Sequence, residues 1–216
     1  LPGLVFIDTP GHAAFTEMRK RGGNLADIAI LVINVNEGIK PQTLECISIL
    51  KSYKTPFVIA LNKLDLVPGW EKTDETFVLS MLEKQPERIK QNFENKLYEI
   101  VGKLYESGLQ AERFDRVDDF TKTIAMVPIS AHTREGIPEL LMVLMGLAQK
   151  FLEEKLETDE NASGRATVLE VKDEKGIGTT LDVILYDGKI KVNDQIIIGG
   201  LYEPVVTKVK GLFEPD

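Results

Sequence analysis

The chain has 216 residues, 43% of them hydrophobic and 28% charged, which suits a globular protein of one large domain plus a smaller one and excludes a chain disordered throughout. Its 26 Lys plus Arg stand against 34 Asp plus Glu, a formal net charge of −8, so the overall field excludes coating a nucleic-acid backbone, and any RNA contact must be local or belong to another part of the protein. A single cysteine, Cys46, excludes an internal disulfide and a cysteine zinc site and suits a reducing cytosol, and no run is long and apolar enough to cross a bilayer or serve as a leader.

Leu4-Val5-Phe6-Ile7 is an apolar run ended by Asp8-Thr9-Pro10-Gly11 and predicts a buried strand and a turn. Residues 28–35 form a second such run, closed by Asn36-Glu37-Gly38. Pro41 then opens a helix whose apolar stripe is Leu44, Ile47 and Leu50, with Cys46 near it as a core residue. Residues 56–61 predict a third strand, ended by Asn62-Lys63-Leu64-Asp65, and residues 123–129 a fourth, ended by Ser130-Ala131-His132. A last helix near Pro138 carries Leu140, Leu141, Leu144, Leu147 and Phe151. Near-continuous apolar strands alternating with helices predict a parallel sheet covered on both faces.

Roughly sixty residues separate the third and fourth strands, more than such a sheet requires. Ile89, Phe93, Leu97, Ile100, Val101 and Leu104 recur at helical spacing up to Gly108, and Pro86 parts this helix from a shorter one near Phe77–Leu82. The segment 70–110 is thus expected to be a helical hairpin packed on the main domain, with Trp70 at its base. The polar stretch 155–164 is the linker candidate, and the short strand patterns of 165–216 predict a small β-barrel or part of one.

Three patterns follow predicted strands, at the carboxyl edge where open α/β sheets bind ligands. Asp8 can hold a cation directly or through water, Gly11 lets a backbone N–H approach a terminal phosphate, and His12 can orient a water. Asp65 can accept two adjacent donors, which guanine presents at N1 and its 2-amino group and adenine does not. Asn62 can bond the base or tie neighbouring loops, the stem of Lys63 can cover the ring, and a small residue near Ser130 lets a backbone N–H reach a base carbonyl. For each alone, a solvated turn is the bland alternative; their order and placement give the combination its weight.

These motifs resemble the third, fourth and fifth motifs of the GTPase superfamily, and a histidine directly after the glycine resembles the translational GTPases. The stretches Arg19–Thr43 and Phe114–Leu152, with the insert ending Leu104-Tyr105-Glu106-Ser107-Gly108, resemble the initiation factor five-B family of archaea and eukaryotes, relatives of bacterial initiation factor two. The resemblance implies a P-loop-NTPase-like parallel sheet with helices on both faces over residues 1–155 and a partial all-β barrel, the second domain, over 165–216. It implies GTP or GDP and Mg²⁺ as ligands, with Asp8 reaching the metal through water, Gly11 sensing the γ-phosphate and His12 positioning the hydrolytic water. Asn62, Lys63 and Asp65 would hold guanine, Ser130, Ala131 and His132 would line its site, and residues 11–23 would form the mobile second switch. A cytoplasmic factor acting in ribosomal subunit joining is implied, with both ribosomal subunits as partners and initiator tRNA bound through regions outside this chain.

No G-x-x-x-x-G-K-[ST] occurs, and Gly176–Thr180 reads as a hairpin turn instead. The phosphate cradle, the first switch and two strands are therefore expected in an N-terminal segment of the same domain, one strand inserting between those at Leu4 and Ile28. On that account GTPase activity belongs to the intact protein, and the chain alone is expected to be inactive. A non-catalytic interaction fragment and a translational GTPase of elongation-factor type are the other readings; the helical insert argues against the latter.

Overall fold

The computed structural model describes residues 4–9, 26–75, 77–152, 162–200 and 202–213. Two compact units divide the chain at residues 153 and 154.

In the first unit the strands β1 (Ala29–Asn34), β2 (Phe57–Asn62), β3 (Ala111–Arg113) and β4 (Ile124–Pro128) form one parallel sheet in the order β1-β2-β4-β3. Val58, Ile59, Ala60 and Leu61 of β2 are all fully buried, as a strand covered on both faces requires. Strand β1 is the exception: it lies at the sheet edge, and Val32 is 57% exposed. The strand expected at Leu4–Ile7 does not form. These residues are exposed and outside any regular element, because no described strand pairs with them and an apolar run alone supplies no ladder of hydrogen bonds.

Helix α1 (Pro41–Tyr53) starts on Pro41, where the missing N–H costs nothing, and ends at Lys54 in a left-handed conformation. Ile47, Ile49 and Leu50 are buried, whereas Leu44 stays exposed, so the stripe meets the core only after the first turn. Cys46 packs partly buried against the core.

Helices α2 (Val78–Lys84) and α3 (Glu87–Glu106) fill the long connection. Gln85 is buried between them and both donates to Glu71 O and accepts from Glu71 N, which fixes the turn before Pro86. On α3, Phe93, Leu97, Ile100 and Leu104 are at most 1% exposed, each burial worth about 1.5–3 kcal/mol. The helix ends as its sequence signals: Gly108 N donates to Tyr105 O and Leu109 N to Leu104 O, with Gly108 at φ +71°. Trp70 packs partly buried against this core.

Strand β3 is an addition to the sequence-based expectation. The arginines around it hold α3 to the sheet edge: Arg113 and Arg116 both reach Glu94 at 2.7 Å, and Arg113 also grips Asp115 through Nε (2.6 Å) and a terminal nitrogen (2.8 Å). Helix α4 (Ile137–Leu152) buries Leu140, Val143, Leu144 and Leu147, and Glu139 in its first turn accepts from Val78 N at 2.5 Å, joining α4 to the start of α2. No helix among the described residues is long and apolar enough to cross a membrane.

In the second unit β5 (Arg165–Glu174) pairs antiparallel with β6 (Gly178–Asp187), and β7 (Gln195–Ile198) with β8 (Val205–Lys208). The connection between β5 and β6 is the turn expected at Gly176, with Gly176 at φ +92° and Gly178 at φ +94°. The described residues form two two-stranded ladders rather than a closed barrel.

Candidate functional site

Strands β2 and β4 are parallel neighbours, with Leu61 opposite Pro128, so the loops that follow them leave the sheet at the same edge. The backbone continues the pairing beyond the strands: Ile129 N donates to Leu61 O (2.8 Å) and Leu64 N to Ile129 O (3.1 Å). Side chains then join the two loops. Asn62 Oδ1 accepts from its neighbour Lys63 N (2.7 Å) and, across the gap, from Ala131 N (3.0 Å). Ser130 is fully buried; its hydroxyl donates to Asp65 Oδ1 at 2.6 Å and accepts from Thr133 N at 3.1 Å.

Asp65 is half-buried and enters the short helical turn Leu64–Leu66. One oxygen is held by Ser130, while Oδ2 has no partner among the described residues. A carboxylate fixed in this way has acceptor capacity left for two donors side by side. The preceding Lys63 is exposed and left-handed, at φ 66° and ψ 38°. The second loop is equally constrained. Ser130 N donates to Glu135 O (2.9 Å) and Thr133 Oγ1 to Glu135 Oε2 (2.9 Å), and Gly136, at φ +72°, lies so close to Pro128 O that a Cβ would stand 2.1 Å from it.

Of the residues singled out from the sequence, Asn62, Lys63, Asp65, Ser130 and Ala131 are brought into one bonded group. His132 follows them on an exposed position, and no hydrogen bond ties it to the group. Asp8 is exposed on the segment 4–9 and takes no part in these bonds. Gly11, His12 and the rest of the second-switch stretch lie outside the described residues. Among the described residues no three of His, Cys, Asp and Glu gather as a metal cage.

Sequence reasoning missed Asn36, Thr133, Glu135 and Gly136. Gly136 carried a signal, a glycine between a polar loop and a helix. From the sequence Asn36 reads only as part of the turn after β1, yet its Nδ2 donates to Lys63 O at 3.2 Å.

The family described as the elongation factor Tu GTP binding domain matches residues 2–150. The probable translation initiation factor IF-2 of Methanothrix thermoacetophila is 54% identical over 215 residues, covering 100% of this chain and 36% of that protein. The protein of the same name in Methanopyrus kandleri is 57% identical over 215 residues with the same coverage. Among solved structures, GDP-bound aIF5B from Aeropyrum pernix is 48% identical with a TM-score of 0.87, covering 97% of this chain and 35% of that one. The bacterial selenocysteine-specific elongation factor EF-Sec, 24% identical with a TM-score of 0.56 over 93% of this chain and 28% of its own, shares the fold. The chain thus spans about a third of the length of these initiation-factor relatives. It belongs to the translational GTPase family, in the branch of the archaeal initiation factors IF-2 and aIF5B.

Proposed function

We propose that the full-length protein is a GTP-binding, GTP-hydrolysing initiation factor and that residues 1–155 supply its base-binding and catalytic-water side. The observation that carries this reading is the Asp65 carboxylate, anchored through one oxygen by buried Ser130 and open at the other. Guanine offers N1–H and a 2-amino group to such a carboxylate; adenine offers an unprotonated N1 and no 2-amino group. Asn62 accepts from Ala131 N and so holds the Asp65 loop against the loop of Ser130, Ala131 and His132 beside the base, and the stem of Lys63 covers the ring.

Asp8 would hold Mg²⁺ through a water. The exposed Asp8 carboxylate suits that ion, which takes few protein ligands and keeps its waters. When bound, Mg²⁺ would supply charge neutralisation at the phosphates. The Gly11 amide meets the γ-phosphate and His12 aligns the attacking water, with the phosphate cradle supplied elsewhere in the full-length protein. Residues 165–216 belong to the second, barrel domain. GTP orders the switches for engagement of both ribosomal subunits during their joining, and hydrolysis on the ribosome releases the factor in the cytoplasm. Initiator tRNA binds through other regions of the full-length protein.

The test is GTP turnover by the full-length protein with and without ribosomes. Stimulation by ribosomes is expected, and His12→Ala should lower turnover while leaving GDP affinity within about twofold, since a residue acting on the water contributes in the transition state. Turnover insensitive to ribosomes, or undiminished in His12→Ala, refutes the reading.

A further inference from the structure

Lys63 is a lysine in a left-handed conformation, φ 66° and ψ 38°, which costs about 1–2 kcal/mol for a residue with a side chain. Such a conformation persists only where surrounding contacts hold it. The Lys63 N–H is held by the side chain of its neighbour Asn62 (2.7 Å). The Lys63 carbonyl accepts from Leu66 N (3.1 Å), within the same turn, and from Asn36 Nδ2 (3.2 Å). Leu66 belongs to the same loop. Asn36 is therefore the anchor of that carbonyl that comes from a different part of the sheet.

Asn36 is itself well placed. Val35 N donates to Asn62 O (3.0 Å), extending the β1–β2 ladder by one bond, so the turn after β1 runs beside residue 63. Within that turn Asn36 N donates to Asn34 Oδ1 (3.0 Å) and Gly38 N to Asn34 O (2.9 Å). The Asn36 amide has one orientation only, because the reverse would set its oxygen against the Lys63 carbonyl. Its Oδ1 is buried and has no partner among the described residues. An unpaired buried acceptor is costly, and an apolar side chain would avoid that cost, so the residue is accounted for by what its donor does.

We infer that Asn36 is a positioning residue for guanine recognition: it holds the Lys63 peptide so that Asp65, two residues on, aims its free oxygen at the base edge. This rests on the reading of Asp65 proposed above. Asp65 bonds two donors of guanine but one of hypoxanthine, which lacks the 2-amino group. Loss of aim weakens the second bond most, so removing Asn36 narrows the preference for GDP over inosine diphosphate.

The experiment is calorimetric titration of the full-length protein with GDP, inosine diphosphate and ADP. Asn36→Ala is expected to lower GDP affinity about three- to tenfold, the worth of one hydrogen bond, and to shrink the GDP-to-inosine-diphosphate ratio. Asn36→Leu removes the donor together with the unpaired Oδ1, so its melting temperature should match or exceed the wild type while the ratio still narrows. Equal weakening of both nucleotides, or an unchanged ratio in Asn36→Leu, overturns the inference while leaving the base-site reading intact. A wild-type protein that does not prefer GDP to ADP instead defeats the underlying reading.

Discussion

Replacing Ser130 by alanine deletes one oxygen with two partners. The hydroxyl is fully buried, donates to the Asp65 carboxylate at 2.6 Å and accepts from Thr133 N at 3.1 Å. A hydrogen bond to a charged group is worth about 1.5–3 kcal/mol, and the lower end applies because Asp65 is half-buried and water can replace its donor. The Thr133 N–H loses its acceptor as well, adding about 1 kcal/mol, for a total of about 2–3 kcal/mol. At about 2–4 °C per kcal/mol for a unit of this size, the melting temperature should fall by about 5–10 °C. Freed of its anchor, Asp65 must also be ordered by the ligand, which at about 1 kcal/mol lowers GDP affinity about fivefold. Scanning calorimetry and GDP titration of full-length wild type and Ser130→Ala measure both quantities. Unchanged melting together with unchanged GDP affinity refutes the view that this hydroxyl orients the carboxylate.

Gly136→Ala places a Cβ 2.1 Å from Pro128 O at φ +72°, and should cost about 3 kcal/mol or more in denaturant titration, with the loop after β4 displaced. Phe93→Ala empties the centre of the α3 interface and should destabilise the first unit by about 3–5 kcal/mol, seen as a lower denaturation midpoint. At Asp115 burial pushes the carboxyl up, but the Arg113 guanidinium, a backbone N–H and Arg116 together outweigh it and the net pKa lies below the ordinary 3.8. A carboxylate lowered on folding stabilises above its unfolded pKa and ceases to do so as pH falls through its folded value. The stability difference between wild type and Asp115→Asn should therefore be constant above about pH 5 and shrink below pH 3.8, as acid titration of the melting temperature would register.

The elements legible in the sequence are those whose burial is complete. The continuous run of β2 and the helical period of α3 each match a face covered along its length. Leu4–Ile7 has the same apolar character as β2 and forms no strand, because a run states what a segment would bury and not whether a neighbour is there to pair with it. The reverse holds for β3: Ala-Glu-Arg carries no apolar pattern, and its place at the sheet edge comes from pairing with β4 and from the arginine contacts to Glu94. At the site, Asn62, Asp65 and Ser130 were visible as short patterns after strands. Asn36 was not, since its part is a bond to residue 63 across a strand boundary, and nothing within its own turn announces it.

The most direct measurement is the affinity of the full-length protein for GDP, ADP and xanthosine diphosphate, before and after Asp65→Asn. Two hydrogen bonds to a carboxylate are worth about 3–5 kcal/mol, so the wild type should favour GDP over ADP by about a hundredfold or more. Asparagine would offer an N–H where the carboxylate offered an oxygen; xanthine, with a carbonyl in place of the 2-amino group, should then bind better than guanine. A protein that holds GDP and ADP equally, or a variant that keeps its GDP affinity, contradicts the assignment of Asp65 to the base.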